Sequence, residues 1–130
     1  MGILSPLFLV NMTSSTDLLV LAAICGLLLL IAGIVRYRPP RQINWLYGYR
    51  TTRSMRNAAT WQEANTYFAR YFWRLSWALP VVTVAAVWLF GTAGALLVLS
   101  VVLVAGLLFG AIRTEQRLRR QFDDNGQLRT

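Results

Sequence analysis

Long apolar blocks alternate with short polar ones along this chain, and the blocks keep neither a two-residue nor a 3.6-residue period. Segments that are apolar on every side are solvated by lipid rather than by water. The first block, 18–35, reads LLVLAAICGLLLLIAGIV and carries no charge; Asp17 precedes it and Arg36 follows it. As a helix it covers about 27 Å, most of the hydrocarbon core. Gly26 and Gly33 mark places where a second helix can come close. The second block, 75–90, contains Pro80, which either kinks the helix or opens the first turn of a new one. The third, 92–112, is the longest and cleanest. Only a tight link around Gly91, Thr92 and Gly94 parts the last two, which predicts an antiparallel hairpin.

The polar segment 36–74 has its own organisation. Pro39 and Pro40 stop the first helix and force an extended exit. Residues 43–52 follow no helical or strand period, and Gly48, set between Tyr47 and Tyr49, lets the backbone turn sharply. A helix is expected from about Asn57, with Thr60 and Glu63 at capping-box spacing and Asn57 as the alternative cap. Trp61, Ala64, Phe68, Tyr71 and Leu75 then recur at three- and four-residue steps. That stripe predicts a helix lying on the membrane surface, apolar face down, with Tyr67, Tyr71, Trp73 and Trp77 as an aromatic belt. The expected fold is an all-α membrane protein. It has three transmembrane helices, with an ordered cytoplasmic loop and an interfacial amphipathic helix between the first and second. Residues 1–17 precede the membrane domain 18–112, and 113–130 form a tail.

Charge orients this arrangement. The chain is 56% hydrophobic and only 14% charged, with a net charge of +8, against about 25% charged residues in a soluble domain. Every basic residue is Arg, a bias that GC-rich codon usage or recognition of carboxylate and phosphate would produce. The Arg residues cluster in 36–74, where Glu63 is the single acid, and again after 112; the hairpin link and the segment before the first span have none. The positive-inside rule puts link and tail in the cytoplasm, and the N-terminus and hairpin tip outside. Residues 1–17 lack the basic start of a signal peptide, and Pro6 breaks the myristoylation pattern. Residues 3–10 suit the outer leaflet surface, and Asn11 begins a sequon of a kind common by chance.

Several functions are poorly supplied. The predicted spans contain no ionisable side chain, so one chain alone has no evident path for ions or protons. Thr83 and Ser100 are expected to bond back onto their own helix. There is no His, and Cys25 is the single cysteine, expected to be a small buried apolar residue. Neither a catalytic dyad nor a metal site has its residues, no cofactor is implied, and the expectation is a non-enzyme. FDDNGQ in the tail reads as a turn. No nucleic-acid-binding motif is present.

Arg36, Arg38, Arg41, Arg70 and Arg74 flank spans and suit anionic headgroups, at about 1 kcal/mol each. Arg50, Arg53 and Arg56 lie further off. Arg50 is the candidate for a specific contact, either to Glu63 or the tail carboxylates, or to an acid or phosphate of a partner. Asn44, Tyr47, Gly48, Tyr49, Arg50, Thr51, Ser54, Trp61 and Asn65 together read as one ordered unit, a docking motif or a lock on the loop.

Asn44, YGYRT at 47–51, Ser54-Met55, Asn57, Trp61 and Ala64-Asn65, with the tail RLRRQFDDNGQ, resemble the SdpI-like family over about 18–127. Thr52 stands where the family usually has Pro. The resemblance implies a small multi-pass protein of the bacterial inner membrane. The family's namesake is an immunity protein that protects a toxin-producing cell from its own secreted peptide and captures a transcriptional repressor at the membrane; it has further spans ahead of this core. By that resemblance the chain is expected to bind a peptide toxin or a cytoplasmic regulator, with the YGYRT loop and the following helix as docking surface. The alternative is a structural accessory subunit of a larger membrane complex, or a homo-oligomer.

Overall fold

The computed structural model describes residues 14–130; the readings for 3–10 and for the Asn11 sequon lie outside them. Among the described residues the fold is helical, with a single isolated bridge between Phe122 and Leu128. Helix α1 spans Ser15–Tyr37 and helix α2 spans Ala58–Gln121. Both are long and apolar enough to cross a membrane. Ser14 caps α1 by accepting the Asp17 N–H at 3.1 Å. At the other end Arg38, forced out of helical geometry by the proline that follows, closes the helix.

Helix α2 folds at one residue. Gly91 has φ 73° and ψ −176°, a region open to glycine and strained for other residues. The chain reverses there, and the arm 92–121 runs back along the arm 58–90. The Tyr71 hydroxyl donates to the Gly106 carbonyl at 2.7 Å, and Arg117 pairs with Glu63. Thr92 at the reversal donates to Asp17 at 3.3 Å, so the tip lies beside the start of α1. Pro80 leaves one backbone carbonyl without its helical N–H, but backbone angles stay helical through it. Neither a break nor a new first turn forms at that position.

The bundle core sets Leu21, Leu79 and Leu99 among many small residues. Cys25, Ala32, Ser76, Thr83, Ala86 and Ala95 are buried, while Leu27, Leu30, Val81, Trp88 and Leu97 point outward. Water would favour the reverse. In lipid the outward leucines lose nothing, and small residues let backbones approach. The buried hydroxyls bond back onto their own helices, Ser76 to Phe72 and Thr83 to Leu79, both at 2.8 Å. Exposed Ser100 does the same to Leu96. Cys25 is buried with its sulfur 3.7 Å from the Thr83 hydroxyl. Of the two glycines singled out in α1, Gly33 lies under the Trp73 ring, whereas Gly26 faces open space. A motif passed over in sequence is the closer contact. Gly106 and Gly110 have the four-residue spacing and receive the side chains of Leu75 and Tyr71.

The expected surface helix is corrected by this geometry. Residues 58–74 continue into 75–90 as one helix with helical backbone angles throughout. Their apolar stripe is covered by protein. Trp61 and Ala64 are fully buried, Phe68 packs in a cluster with Tyr49 and Leu118, and Tyr71 and Leu75 meet the glycines of the return arm. The cause is the length of that arm, which runs past 112 to Gln121. Of the expected belt, Trp73 stacks edge-on with Tyr37 and Trp77, both at 5.7 Å. Tyr67 lies instead beneath Arg117.

A methyl group at Gly110 would press on the Tyr71 and Phe68 rings. Gly110→Ala is expected to destabilise the hairpin by about 1–3 kcal/mol, seen as a lower midpoint of thermal unfolding in detergent. Gly26→Ala meets no neighbour and is the matched control, expected to be neutral or slightly stabilising.

Candidate functional site

The link 38–57 closes over the paired ends of the two arms. Its first turn is made by Asn44, whose Oδ1 accepts the N–H groups of Leu46 and Tyr47 at 2.9 and 3.0 Å, while its Nδ2 donates to the Gln42 carbonyl. The Tyr47 hydroxyl reaches back to the Arg38 carbonyl at 3.3 Å. Gly48 has φ 117°, and a Cβ there would stand 2.6 Å from Asn65 Oδ1 and 2.9 Å from Pro40. A side chain at 48 is therefore barred twice, by conformation and by space.

Passing Gly48, the chain dives between the arms. The Tyr49 N–H donates to Asn65 Oδ1 at 2.6 Å, and Asn65 Nδ2 donates to the Trp61 carbonyl at 2.9 Å. The Trp61 indole N–H donates to the Pro40 carbonyl at 2.9 Å. Trp61 and Asn65, one turn apart on the same face of α2, thus hold both strands of the link. The Tyr49 ring packs on Phe68, and its hydroxyl lies 3.1 Å from the Ala111 carbonyl and 3.0 Å from Glu115 Oε1. Burial, followed by the hydrogen bond and charge of Glu115, pushes this phenol well above its ordinary value of 10.0, so it remains a donor.

Glu115 is the hub on the return arm. Its Oε1 also accepts the Thr51 hydroxyl at 2.6 Å, and its Oε2 lies 3.8 Å from Arg53. Ser54, fully buried, ties the turn shut: its hydroxyl accepts the Thr51 N–H at 2.8 Å and donates toward the Tyr49 carbonyl at 3.0 Å. Asn57 and Thr60 then form a reciprocal capping box at the start of α2. Asn57 Nδ2 donates to the Gly126 carbonyl at 2.7 Å, joining the tail to the same lock. Asp123 shapes that tail turn by accepting from Asn125 and Gln127. No buried side-chain polar atom among the described residues lacks a partner.

Of the nine residues singled out in sequence, Tyr49, Thr51, Ser54, Trp61 and Asn65 bond within this lock, and Gly48 packs against it. Asn44 and Tyr47 shape the turn ahead of it, and Arg50 bonds only to that turn. It reaches neither Glu63 nor the tail carboxylates; it donates to the Trp45 carbonyl at 2.9 Å and lies 5.1 Å over the Trp45 ring. The internal pairing sought for it belongs to Arg53, which faces Glu115 and Asp124, and to Arg117, which holds Glu63. The sequence carried a signal for this in its acids. The chain has five of them, and on the Arg-rich end each acid is scarce, so acids select the partners.

The model of the SdpI/YfhL protein family matches residues 41–112. The chain belongs to the SdpI/YfhL family. It is also similar to the uncharacterized protein YfhL of Bacillus subtilis (strain 168), at 35% identity over 95 residues, which cover 72% of this chain and 82% of that protein. No solved structure matches the chain. Membership of this family and the two long apolar helices together make it a membrane protein.

Proposed function

We propose that this SdpI/YfhL protein is a binding protein of the bacterial inner membrane that crosses it three times and does no catalysis. The segments 18–35, 75–90 and 92–112 span. The N-terminus and the Gly91 tip lie outside, and the Arg-rich end faces the cytoplasm. Its role is immunity to a membrane-active peptide, signalling by capture of a cytoplasmic partner, or both.

The observation that carries this reading is the locked end itself. Tyr49, Thr51 and Ser54 are spent on holding the link to Asn65 and Glu115. The YGYRT segment therefore acts as the clasp, and the contact surface lies beside it. An open groove of about 550 Å³ runs between the start of α2 and the tail. Gln62, Glu63, Arg120, Phe122, Leu128 and Arg129 line it. Its mixture of Arg, amide and apolar groups suits an acidic peptide segment.

Expression in a sensitive bacterium, followed by challenge with membrane-active peptides, tests the proposal. Protection is expected, and Leu128→Asp, at an exposed groove position, is expected to abolish it while the protein stays in the membrane. Absence of protection in every challenge, with no cytoplasmic protein retained on the purified chain, overturns it. A stoichiometric larger membrane partner in gentle detergent extracts would instead favour an accessory subunit.

A further inference from the structure

Trp45 and Leu46 are the most exposed large apolar residues among those described, at 82% and 91%. Their exposure is not looseness. Asn44 fixes the turn that carries them through two N–H groups, Tyr47 ties it to Arg38, and Arg50 clasps the Trp45 carbonyl from below. A rigid turn presenting Trp and Leu to water gains nothing for the fold, and the apolar area is available to a second phase.

The position of the turn says which phase. Arg38, to which Tyr47 is tied, is the residue that closes α1. Tyr37, the last residue of α1, meets Trp73 at the start of the outward-facing aromatic group. From the other side, the Tyr49 hydroxyl reaches Ala111, at the edge of the apolar stretch 92–112. The tip therefore hangs at the level where the helices leave their apolar zone, tied to Arg38. Tryptophan at such a boundary sits among lipid headgroups, and arginine beside it meets their phosphates. Arg50 completes the pattern. Its guanidinium is stacked on Trp45, and no acid among the described residues pairs with it.

We propose that the Trp45–Leu46 tip docks into the cytoplasmic interface of an anionic phospholipid bilayer, with the Arg50 guanidinium on a headgroup phosphate. The inference rests on the reading of the helices as membrane spans. It gives the link a second attachment besides the protein lock, and it assigns Arg50 a lipid ligand.

The full chain is reconstituted in vesicles of phosphatidylglycerol brominated high on its acyl chains. Subtracting the emission of Trp45→Phe isolates Trp45, and Trp88→Phe isolates an outward residue of the arm 58–90. Both signals are expected to fall at least twofold against unbrominated lipid, with Trp45 shielded from aqueous acrylamide. Replacing phosphatidylglycerol by phosphatidylcholine, or Arg50 by Gln, is expected to roughly halve the Trp45 quenching. Trp45 quenched by acrylamide and untouched by bromine, while Trp88 is quenched by bromine, overturns the docking alone and leaves the tip to a protein partner. Trp88 untouched by bromine overturns the spanning reading and the docking with it. Trp45 quenching that ignores both headgroup and Arg50 overturns the phosphate contact.

Discussion

Gly48→Ala is expected to open the link while leaving the membrane helices paired. The backbone at 48 has φ 117°, which costs an L-residue about 1–2 kcal/mol or more. The methyl group adds a steric cost. Its carbon would stand 2.6 Å from Asn65 Oδ1, 2.9 Å from the Pro40 ring and 3.2 Å from the Trp61 ring. Pro40 and Trp61 cannot yield, because the indole is fully buried and its N–H holds the Pro40 carbonyl. The sum is about 3–4 kcal/mol against the closed link, at the upper end for a single substitution. Because the chain has no Lys, trypsin cuts only at Arg, and the link carries Arg50, Arg53 and Arg56. Limited proteolysis in detergent should therefore show cleavage at these sites rising by two orders of magnitude or more, with the 75–112 hairpin recovered intact. Equal resistance in the variant and the wild type would show that Gly48 is not needed for closure.

Asn65 is the other large effect, and the choice of replacement separates its causes. Its amide oxygen is the acceptor for the Tyr49 N–H, 2.6 Å away in a buried position. Asn65→Ala removes the acceptor but leaves room for a water molecule in its place. Asn65→Leu keeps the branched shape and shuts the water out, so the N–H is orphaned and bears its full desolvation penalty. Losses of about 1–2 kcal/mol for Ala and about 3 kcal/mol for Leu are expected, measured as amide exchange across 42–54. Leu exchanging no faster than Ala would mean that volume rather than the hydrogen bond matters here. In Gly48→Ala the new methyl presses on the same amide oxygen, so the two substitutions should combine less than additively.

Much of the fold could be read from local chemistry. Two consecutive prolines end a helix whatever surrounds them, and a glycine between two apolar runs permits a reversal that no other residue allows as cheaply. The stretch from Asn44 to Asn65 was also recognisable as a unit, because its turn residues and rings have no other reason to be so ordered. What could not be read was what faces what. The stripe from Trp61 to Leu75 has one period whether lipid or a second helix covers it. Only the length of the return arm decides, and the hydropathy of 92–112 gives no sign that the helix runs on to Gln121. Which internal group Arg50 meets was illegible for a related reason. Reach along the sequence does not say which way a turn points its guanidinium, and the Asn44 turn points this one at Trp45.

The lock also orders events during biosynthesis. Tyr49 closes on Glu115, which follows it by 66 residues, and Asn57 on Gly126, which follows by 69. A ribosome adds about 5–20 residues per second, so for several seconds a nascent link has nothing to close on. Maturation of the locked end is therefore C-terminal and late. It begins only when the last helix has been released and its tail has turned back, and a stop codon ahead of Glu115 would leave an inserted hairpin whose clasp never fastens.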